Sequence, residues 1–350
     1  MFTLPAVNAL KAAFPQAQST FLIYKEFAPL LDGFPQIDSV ITLDRSRYRG
    51  LNPKTLLPEA LGMLWQLYRN KFDLTIDFQG FGETGLLSLW TRAPHRWGIV
   101  YRPTRGWPYT RAVRRNPELH PIEYHLDLLQ RGGSISSSPC RNRFIVPEQA
   151  AAQAQQLFAD WNLEPSRPTL FIQPFTKGEH KNWPLERYLA IGKYWRERRV
   201  QVLFGGGPGE RPVLAPALDA GFAVAAGAPL LVSAGLVQSS TIILGGDTGL
   251  LHLAVALGKR VVMIINSTKP GNCFPFEHPE WAVVPEDGAN VSAVKPEAVI
   301  EACAGALAEQ RNAQFPSTPV QGQFPAKPAA SNETLCLHRL CGQDLWNNID

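Results

Sequence analysis

A small group of polar residues after a short apolar run is the sequence feature most suggestive of chemistry. Thr241–Leu244 is predicted to form a buried strand, and apolar residues recur at helical spacing a few positions later. Between them, Asp247 and Thr248 are residue types that begin helices, and Gly249 permits close backbone approach. His252 lies one turn into the predicted helix, so it can face the same opening as Asp247. Free N–H groups at such a helix N-terminus attract phosphate, although an ordinary capped crossover with a half-buried histidine explains the same residues.

A second candidate group lies in the stretch Gln173–Pro184, which follows another predicted strand. Thr176, Lys177 and Lys181 occupy this loop, and a helix begins directly after it. Because the carboxyl ends of parallel strands meet at one edge of a sheet, we expect the loop to lie beside Asp247–Gly249. Two lysines, a hydroxyl and a helix N-terminus in one crevice can bind a diphosphate without a metal ion. The alternative is a surface loop whose lysines are simply solvated.

A glycine-rich loop, Gly205–Gly209, follows the next predicted strand. Its glycines lack the spacing G-x-G-x-x-G, Pro208 interrupts it, and no acidic residue occurs about twenty positions later. No Gly-Lys-Ser/Thr sequence follows either, so the loop does not match a phosphate-binding Walker loop. A nicotinamide cofactor is therefore not expected.

Arginines are concentrated in the stretch Arg92–Arg115, where seven occur without a lysine or an acid and are interleaved with tryptophan and tyrosine. Arginine binds phosphate and carboxylate groups in bidentate fashion, so the stretch is a candidate contact for an anionic lipid headgroup or a phosphorylated acceptor. The candidate residues are Arg92, Arg96, Arg102 and Arg105. Arg96–Val100 is a predicted strand, and proline and glycine in the same stretch predict a long loop. Nucleic-acid binding and a merely solvated loop are the alternatives.

Composition and charge are those of an ordinary globular protein. The chain has 350 residues, 45% of them hydrophobic and 18% charged, and its net charge of +4 does not by itself indicate nucleic-acid binding. No apolar run reaches membrane-spanning length, and the first residues do not have the pattern of a signal peptide. The cysteines are odd in number and scattered, which favours reduced thiols in the cytoplasm. Cys336 and Cys341 fit no common zinc-ligand spacing, so no metal site is expected.

Strands and helices alternate along the chain, which predicts parallel sheets with both faces covered. A break near Val146 divides the chain into two α/β domains of the doubly wound kind, 1–146 and 147–309. A helix is predicted over Glu210–Ala220, and residues 310–350 are predicted to form a disordered tail rich in proline, glutamine, alanine and serine. The first domain opens in a helix without the usual preceding strand, which indicates a late start codon or a truncated reading frame.

Three motifs in combination resemble those of glycosyltransferase family 9, the lipopolysaccharide heptosyltransferase family. They are K-x-W-P at Lys181–Pro184, G-G-x-G-E at Gly206–Glu210 and D-T-G-x-x-H at Asp247–His252. The segments Thr3–Pro15 and Asp77–Trp90 are also similar to that family. The resemblance covers roughly residues 1 to 309, and its later motifs are specific together although each is weak alone.

This resemblance implies a GT-B architecture, in which two Rossmann-like doubly wound domains face a cleft. Members of the family transfer a heptose or a related sugar, with inversion and without a metal, from an ADP-sugar donor, usually ADP-heptose, to the lipid A–core oligosaccharide. The resemblance therefore implies an enzyme that is cytoplasmic or peripheral on the inner face of the inner membrane, with no cofactor and no nucleic-acid partner. The acceptor would bind the first domain and the donor the second.

The family motifs also imply roles for particular residues of the second domain. Thr176, Lys177 and Lys181 would approach the donor diphosphate, with Lys181 stabilising the leaving group. Glu210 would contact the nucleoside. The residues implied to line the sugar-diphosphate pocket are Asp247, Thr248, Gly249 and His252.

The chain departs from the family pattern at its beginning. A Gly-Asp pair that supplies the family's usual catalytic base lies just before the segment equivalent to Met1–Pro5, so the base is expected to be missing from this sequence. Asp77 and Glu83 are not assigned that role without geometry. Two alternatives therefore stay open: a non-catalytic or degenerate sugar-nucleotide-binding protein, and another GT-B enzyme such as a nucleotide-sugar epimerase.

Overall fold

The computed structural model describes residues 1–44, 53–136, 143–269, 271–286 and 290–314. Within them the strands are β1 Thr20–Tyr24, β2 Ser39–Leu43, β3 Leu74–Asp77, β4 His95–Val100, β5 Arg111–Arg114, β6 Thr169–Gln173, β7 Gln201–Gly206, β8 Ala223–Ala226, β9 Ile242–Gly246, β10 Arg260–Ile264 and β11 Ala282–Val283. The α-helices are α1 Leu4–Ala13, α2 Pro53–Arg69, α3 Gly82–Trp90, α4 Pro121–Gly133, α5 Glu148–Asp160, α6 Leu185–Glu197, α7 Ala215–Asp219, α8 Leu230–Ser239, α9 Gly249–Ala256 and α10 Pro296–Gln314. Short 3-10 helices lie at Lys25–Gly33, Pro103–Arg105, Glu179–Lys181, Pro208–Glu210, Pro279–Trp281 and Val291–Ala293.

The second half of the chain forms one parallel sheet in the order β11–β10–β9–β6–β7–β8. Its central strands are buried along their whole length and mostly apolar, as expected when helices cover both faces. Leu170 and Ile172 enter the core on one face, whereas Phe171 between them enters the core on the other. The strand order reverses between β6 and β9, so the loops that follow these two strands border the crevice where doubly wound sheets bind ligands.

The first half of the chain contains parallel strands in two sheets rather than one. Strand β1 pairs with β2, and β3–β4–β5 form a separate sheet. In the part of the chain that the structure describes, no strand pairs with both β1 and β3. Helix α1 packs against both groups instead, with Leu4 in the cluster that includes Phe21 and with Ala6 and Ala9 against Trp97.

The two halves are joined through an apolar cluster around the connecting segment. Phe144 and Val146 pack with Leu253 and Ala256 of α9, and the Phe144 N–H donates to the Ala256 carbonyl over 2.9 Å. No helix in the described ranges is both long and apolar enough to span a membrane.

The doubly wound parallel α/β class is confirmed, but several local predictions need correction. The helix predicted over Glu210–Ala220 is wrong, because two prolines within it remove backbone donors and leave only the short α7 after a 3-10 turn. In the stretch Arg92–Arg115, the strand predicted over Arg96–Val100 is present as β4, but the long loop predicted there is interrupted by β5, which was not expected. Helix α10 continues through residues 310–314 of the predicted tail, and residues 315–350 lie outside the described residues.

Candidate functional site

Lys181, Asp247 and His252 meet at the carboxyl edge of the central strands β6 and β9. The Lys181 Nζ lies 2.7 Å from Oδ2 of Asp247, and the His252 Nε2 lies 3.0 Å from Oδ1 of the same carboxylate. The sequence prediction that these residues share one opening is confirmed. Both carboxylate oxygens are thus used, one by Lys181 at the end of the 3-10 helix after β6 and the other by His252 in α9.

The charge state of this group follows from its hydrogen bonds. Burial alone would raise the pKa of Asp247, but hydrogen bonds from His252 and Lys181 hold it below its ordinary value. Hydrogen bonding to Asp247 raises the pKa of Lys181, although partial burial opposes the increase. An ionised carboxylate only accepts hydrogen bonds, so the His252 Nε2 carries the proton that it shares with Asp247.

The loop that carries Lys181 is held in place by its own side chains. The Thr176 N–H donates to the Asn182 side-chain oxygen over 2.7 Å, and the Thr176 hydroxyl donates to the Gly178 carbonyl over 2.9 Å. Trp183 is buried and donates its indole N–H to the Val294 carbonyl over 2.9 Å. A side chain at Gly246 would meet the Thr176 methyl group at 2.6 Å, so glycine there allows the loop to lie against β9.

Helix α9 begins as the sequence predicts. Thr248 is its N-cap, and the Thr248 hydroxyl accepts from the Leu251 N–H over 3.3 Å. Asp247 is therefore not needed as a cap and can bind Lys181. A side chain at Gly249 would enter open space, so the structure does not show a close approach that requires glycine there.

The other predicted donor residues of the second half lie at the same sheet edge but are less closely joined. Lys177 is exposed at the tip of its loop. Glu210 follows β7, and its Oε2 accepts from the Gly207 N–H over 2.7 Å. That hydrogen bond stabilises the 3-10 turn and uses only one of the two carboxylate oxygens of Glu210.

A loop after β10 completes the wall of the site and was missed by the sequence reasoning. Its residues Asn266, Ser267, Asn272 and Cys273 line a cavity of about 70 Å³ together with Lys181 and Asp247. Burial raises the pKa of the Cys273 thiol, and the negative Asp247 adds to the increase, whereas Lys181 and Arg115 oppose it. The signal was available in the sequence, because β10 is parallel to β9 and must end at the same edge.

The same loop closes against the first half of the chain. The His120 Nδ1 accepts from the Ile122 N–H at the start of α4, so its Nε2 carries a proton and donates to the Phe274 carbonyl over 3.2 Å. The Phe2 ring packs edge-on against both His120 and His252. Burial lowers the pKa of His120 to about 4, which keeps it neutral at neutral pH. A buried aromatic and histidine contact therefore joins the two halves beside Asp247.

Glycine is required where the loop backbones meet across this contact. Gly271 has a φ angle of +83°, and a side chain there would meet the Pro117 carbonyl oxygen at 2.0 Å.

Arg115 is a further residue of the site that the sequence reasoning did not single out. It directly follows β5, its guanidinium lies 4.8 Å from the Tyr124 ring centroid, and it contributes to the electrostatics of Cys273. Its Nε–H is buried and has no hydrogen-bond partner among the described residues. An unsatisfied cationic donor of this kind is suited to an anion.

The four candidate arginines of the Arg92–Arg115 stretch differ in exposure. Arg96 is used internally, since its Nε donates to the Pro108 carbonyl over 2.8 Å and its Nη1 donates to the Ala93 carbonyl. Arg92, Arg102 and Arg105 are exposed.

Asp77 is placed at the end of β3 but is fully engaged. Its Oδ1 accepts from the Gln79 and Gly80 N–H groups over 2.8 and 3.0 Å, and its Oδ2 accepts from the Tyr109 hydroxyl over 2.6 Å. Burial and the hydrogen bond to Asp77 raise the pKa of Tyr109 well above its usual range. This carboxylate therefore organises a loop and is a poor candidate for a general base.

A metal centre is not evident in the described part of the chain, where no three histidine, cysteine or acidic side chains are grouped to hold an ion. Cys336 and Cys341 lie outside the described residues.

Comparison with known proteins gives a consistent family. The sequence pattern of glycosyltransferase family 9 (heptosyltransferase) matches residues 62–298. The lipopolysaccharide core heptosyltransferase OpsX of Haemophilus influenzae is 23% identical over 303 residues, which cover 84% of this chain and 83% of that protein. Among solved structures, E. coli ADP-heptose lipopolysaccharide heptosyltransferase II has a TM-score of 0.71 at 19% identity, covering 89% and 95% of the two chains. E. coli heptosyltransferase WaaC with ADP has a TM-score of 0.69 at 19% identity, covering 87% and 95%. These structures confirm the predicted GT-B fold.

Proposed function

This chain belongs to glycosyltransferase family 9, and we propose that it transfers a heptose from ADP-heptose to a lipopolysaccharide core acceptor. The match of that family to residues 62–298 makes the chain a glycosyltransferase. The names of similar proteins support the finer assignment, since they include a lipopolysaccharide core heptosyltransferase and a heptosyltransferase solved with ADP.

The convergence of Lys181, Asp247 and the start of α9 at the sheet's switch point is the observation that carries the donor assignment. In the proposed complex the diphosphate lies against the free N–H groups of α9, and the Lys181 ammonium contacts its oxygens. As the bond from the anomeric carbon to the leaving ADP breaks, negative charge develops on the diphosphate and these groups stabilise it. The proposal requires no metal ion for this step.

Asp247 has a different proposed role. Its carboxylate is held ionised by Lys181 and His252 and lies where it can accept hydrogen bonds from the sugar hydroxyls. Such contacts would orient the anomeric carbon toward an acceptor hydroxyl on the opposite face, as an inverting displacement requires.

The remaining donor-binding residues are proposed to have supporting roles. Glu210 contacts the nucleoside through its second oxygen, and Thr176 shapes the Lys181 loop through its internal hydrogen bonds. The further proposed contributors are Lys177, Thr248, Gly249 and His252.

We assign the acceptor to the first half of the chain, with 1–146 as the acceptor-side domain and 147–309 as the donor-side domain. Arg115 is the proposed contact for an acceptor anion in the cleft, because its buried Nε–H lacks a described partner. The exposed Arg92, Arg102 and Arg105 are proposed to face the anionic acceptor or the inner face of the inner membrane, with the protein peripheral on it.

The decisive experiment incubates the purified protein with ADP-heptose and a lipid A–core acceptor that lacks the heptose. We expect ADP release together with a mass increase of one heptose residue on the acceptor. ADP binding without any turnover would favour the non-catalytic alternative. Turnover of a free UDP-sugar in the absence of acceptor would favour an epimerase and contradict the proposal.

A further inference from the structure

An exposed apolar surface lies on the outer side of helices α2 and α3, away from the residues of the donor site. Its residues are Leu61, Trp65, Leu86 and Trp90, which are 56%, 61%, 54% and 50% exposed, together with the partly exposed Tyr68. We call these five residues the α2–α3 surface. The spacing of 61, 65 and 68 on one helix and of 86 and 90 on the other places each set on one helical face.

The side chains of the α2–α3 surface are continuous rather than scattered. The Trp90 indole N–H donates to the Leu64 carbonyl over 3.0 Å, which joins the two helices. The Trp65 and Tyr68 rings stack with their centroids 5.9 Å apart. Between the helices lies an open groove of about 440 Å³, walled by leucine, tyrosine and tryptophan with Arg92 at its edge. Single exposed apolar residues are ordinary, but a contiguous set marks an interaction site.

The core does not account for this set. The opposite sides of the same helices already supply buried residues, namely Leu67 on α2 and Gly85 and Ser88 on α3. Trp90 also joins the two helices through its indole N–H. Even so, half or more of each side chain at 61, 65, 86 and 90 remains exposed, which leaves a large apolar area that the interior does not use.

Charge at one end of the surface indicates what covers it. Arg69, Lys71 and Arg92 are exposed near the C-terminal ends of the two helices. The Arg92 guanidinium lies 5.7 Å from the Tyr68 ring centroid, and its Nη1 lies 3.3 Å from the Tyr68 hydroxyl. Tryptophan and tyrosine with adjacent basic residues are typical of surfaces that sit at the headgroup level of a bilayer, where anionic lipids attract the cations.

We propose that the α2–α3 surface docks on an anionic phospholipid bilayer, with Leu61, Trp65, Leu86 and Trp90 inserted among the acyl chains and Arg69, Lys71 and Arg92 on the phosphates. The groove fits an acyl chain whose phosphate meets Arg92. The link to catalysis rests on the proposed function, because a lipid-anchored acceptor would lie in the same membrane.

Vesicle flotation tests the proposal without reference to catalysis. The full chain is mixed with vesicles of phosphatidylglycerol and phosphatidylcholine, or with phosphatidylcholine alone. We expect clear binding to the anionic vesicles and much weaker binding to the neutral ones. The Leu61→Ser/Trp65→Ser variant should lose at least about tenfold in partitioning, because it removes two inserting side chains. The matched control is Val213→Ser/Leu218→Ser, which removes exposed apolar residues in the second half of the chain.

A charge-reversal variant, Arg69→Glu/Lys71→Glu, should lose the preference for anionic vesicles while leaving the weak neutral binding unchanged. The proposal would be overturned if the wild type did not bind anionic vesicles. It would also be overturned if the Leu61→Ser/Trp65→Ser variant bound them as strongly as the wild type. Loss of self-association in that variant without any change on vesicles would identify a second copy as the occupant instead. All variants should bind ADP like the wild type in calorimetry, which shows that they are folded. If the wild type itself failed to bind ADP, that result would count against the proposed function and not against the α2–α3 surface.

Discussion

Replacement of Lys181 by methionine tests the donor site most directly, because it removes one charge and keeps the length of the side chain. The ion pair between Lys181 and Asp247 is partly exposed to solvent, since the two side chains are 42% and 21% exposed. Ion pairs of this exposure contribute about 0–1 kcal/mol to stability. The Lys181→Met variant should therefore fold, and any loss of ADP binding can be read as a site effect.

The size of the effect follows from the contact that is lost. A hydrogen bond to a charged group contributes about 1.5–3 kcal/mol, so the ADP dissociation constant should rise roughly 10- to 150-fold. At ADP concentrations of about 100 times the wild-type dissociation constant, ADP stabilises the wild type by about 2.7 kcal/mol. A 30-fold larger dissociation constant, taken as roughly the middle of that range, would leave about 0.9 kcal/mol. For a chain of 350 residues, the corresponding rise in melting temperature would fall from about 4 °C to about 1 °C.

Calorimetric titration with ADP is the primary assay, and Lys193→Met is the matched control. Lys193 is an exposed lysine of α6 that is not among the proposed donor-binding residues, so its replacement should change the ADP dissociation constant by less than about threefold. The double variant Lys181→Met/Asp247→Asn should bind ADP better than Lys181→Met alone, because the uncompensated carboxylate no longer repels the diphosphate. Equal ADP affinity in the wild type and Lys181→Met would refute the placement of the diphosphate.

Three further outcomes are expected. Asp247→Asn should weaken ADP-heptose binding roughly tenfold more than ADP binding in calorimetry, because only the sugar meets the carboxylate; an equal loss for both would contradict that role. His120→Asn keeps a side-chain acceptor for the Ile122 N–H, but it removes a buried histidine whose folded pKa of about 4 lies below its unfolded value. Below pH 6.5 the unfolded state takes up a proton on this histidine and the folded state does not, so the folded state loses stability as pH falls toward 4. In urea unfolding, the free energy of unfolding of the wild type should therefore fall by on the order of 3 kcal/mol more than that of the variant over this interval. Parallel pH curves for the two proteins would contradict this. Arg115→Met should raise the KM for the anionic acceptor roughly tenfold and leave the ADP dissociation constant unchanged, whereas the reverse pattern would place Arg115 on the donor.

The arrangement of Lys181, Asp247 and the start of α9 could be predicted from the sequence because its signals are local. An apolar strand, a pair of glycines, a capping residue and a helical repeat follow one another between Thr241 and Ala256, and each confirms the next. The position of Lys181 beside Asp247 then required only the rule that parallel strands end at one edge. The fold class could be predicted for the same reason, because a doubly wound sheet is built from similar short strand–helix units, each with its own local pattern.

Contacts between distant segments could not be predicted in this way. The meeting of Phe2, His120, His252 and Phe274 depends on how the two halves of the chain approach each other, which no local pattern encodes. Arg115 looked like one arginine among seven, and only its buried Nε–H distinguishes it from the exposed ones. Strand β5 was overlooked because arginine occupies both of its ends, although the strand lies at the edge of its sheet, where charged side chains are tolerated.

The pairing of Lys181 with Asp247 explains how the proposed site for a strongly anionic ligand can stay folded without that ligand. An isolated lysine at this sheet edge would bring a positive charge close to Arg115, with only helix N–H groups nearby. The Asp247 carboxylate neutralises Lys181 locally. His252 donates to the second oxygen of that carboxylate and fixes the orientation of Asp247. A bound diphosphate offers Lys181 more acceptor oxygens than the carboxylate does, and the sugar hydroxyls can then replace the ammonium on Asp247. The cavity of about 70 Å³ is smaller than the roughly 300–1,000 Å³ of typical ligand pockets, so we expect its wall at Asn266, Ser267, Asn272 and Cys273 to shift when the proposed donor binds. Because Phe274 follows this wall directly, such a shift should weaken the hydrogen bond from His120 to the Phe274 carbonyl.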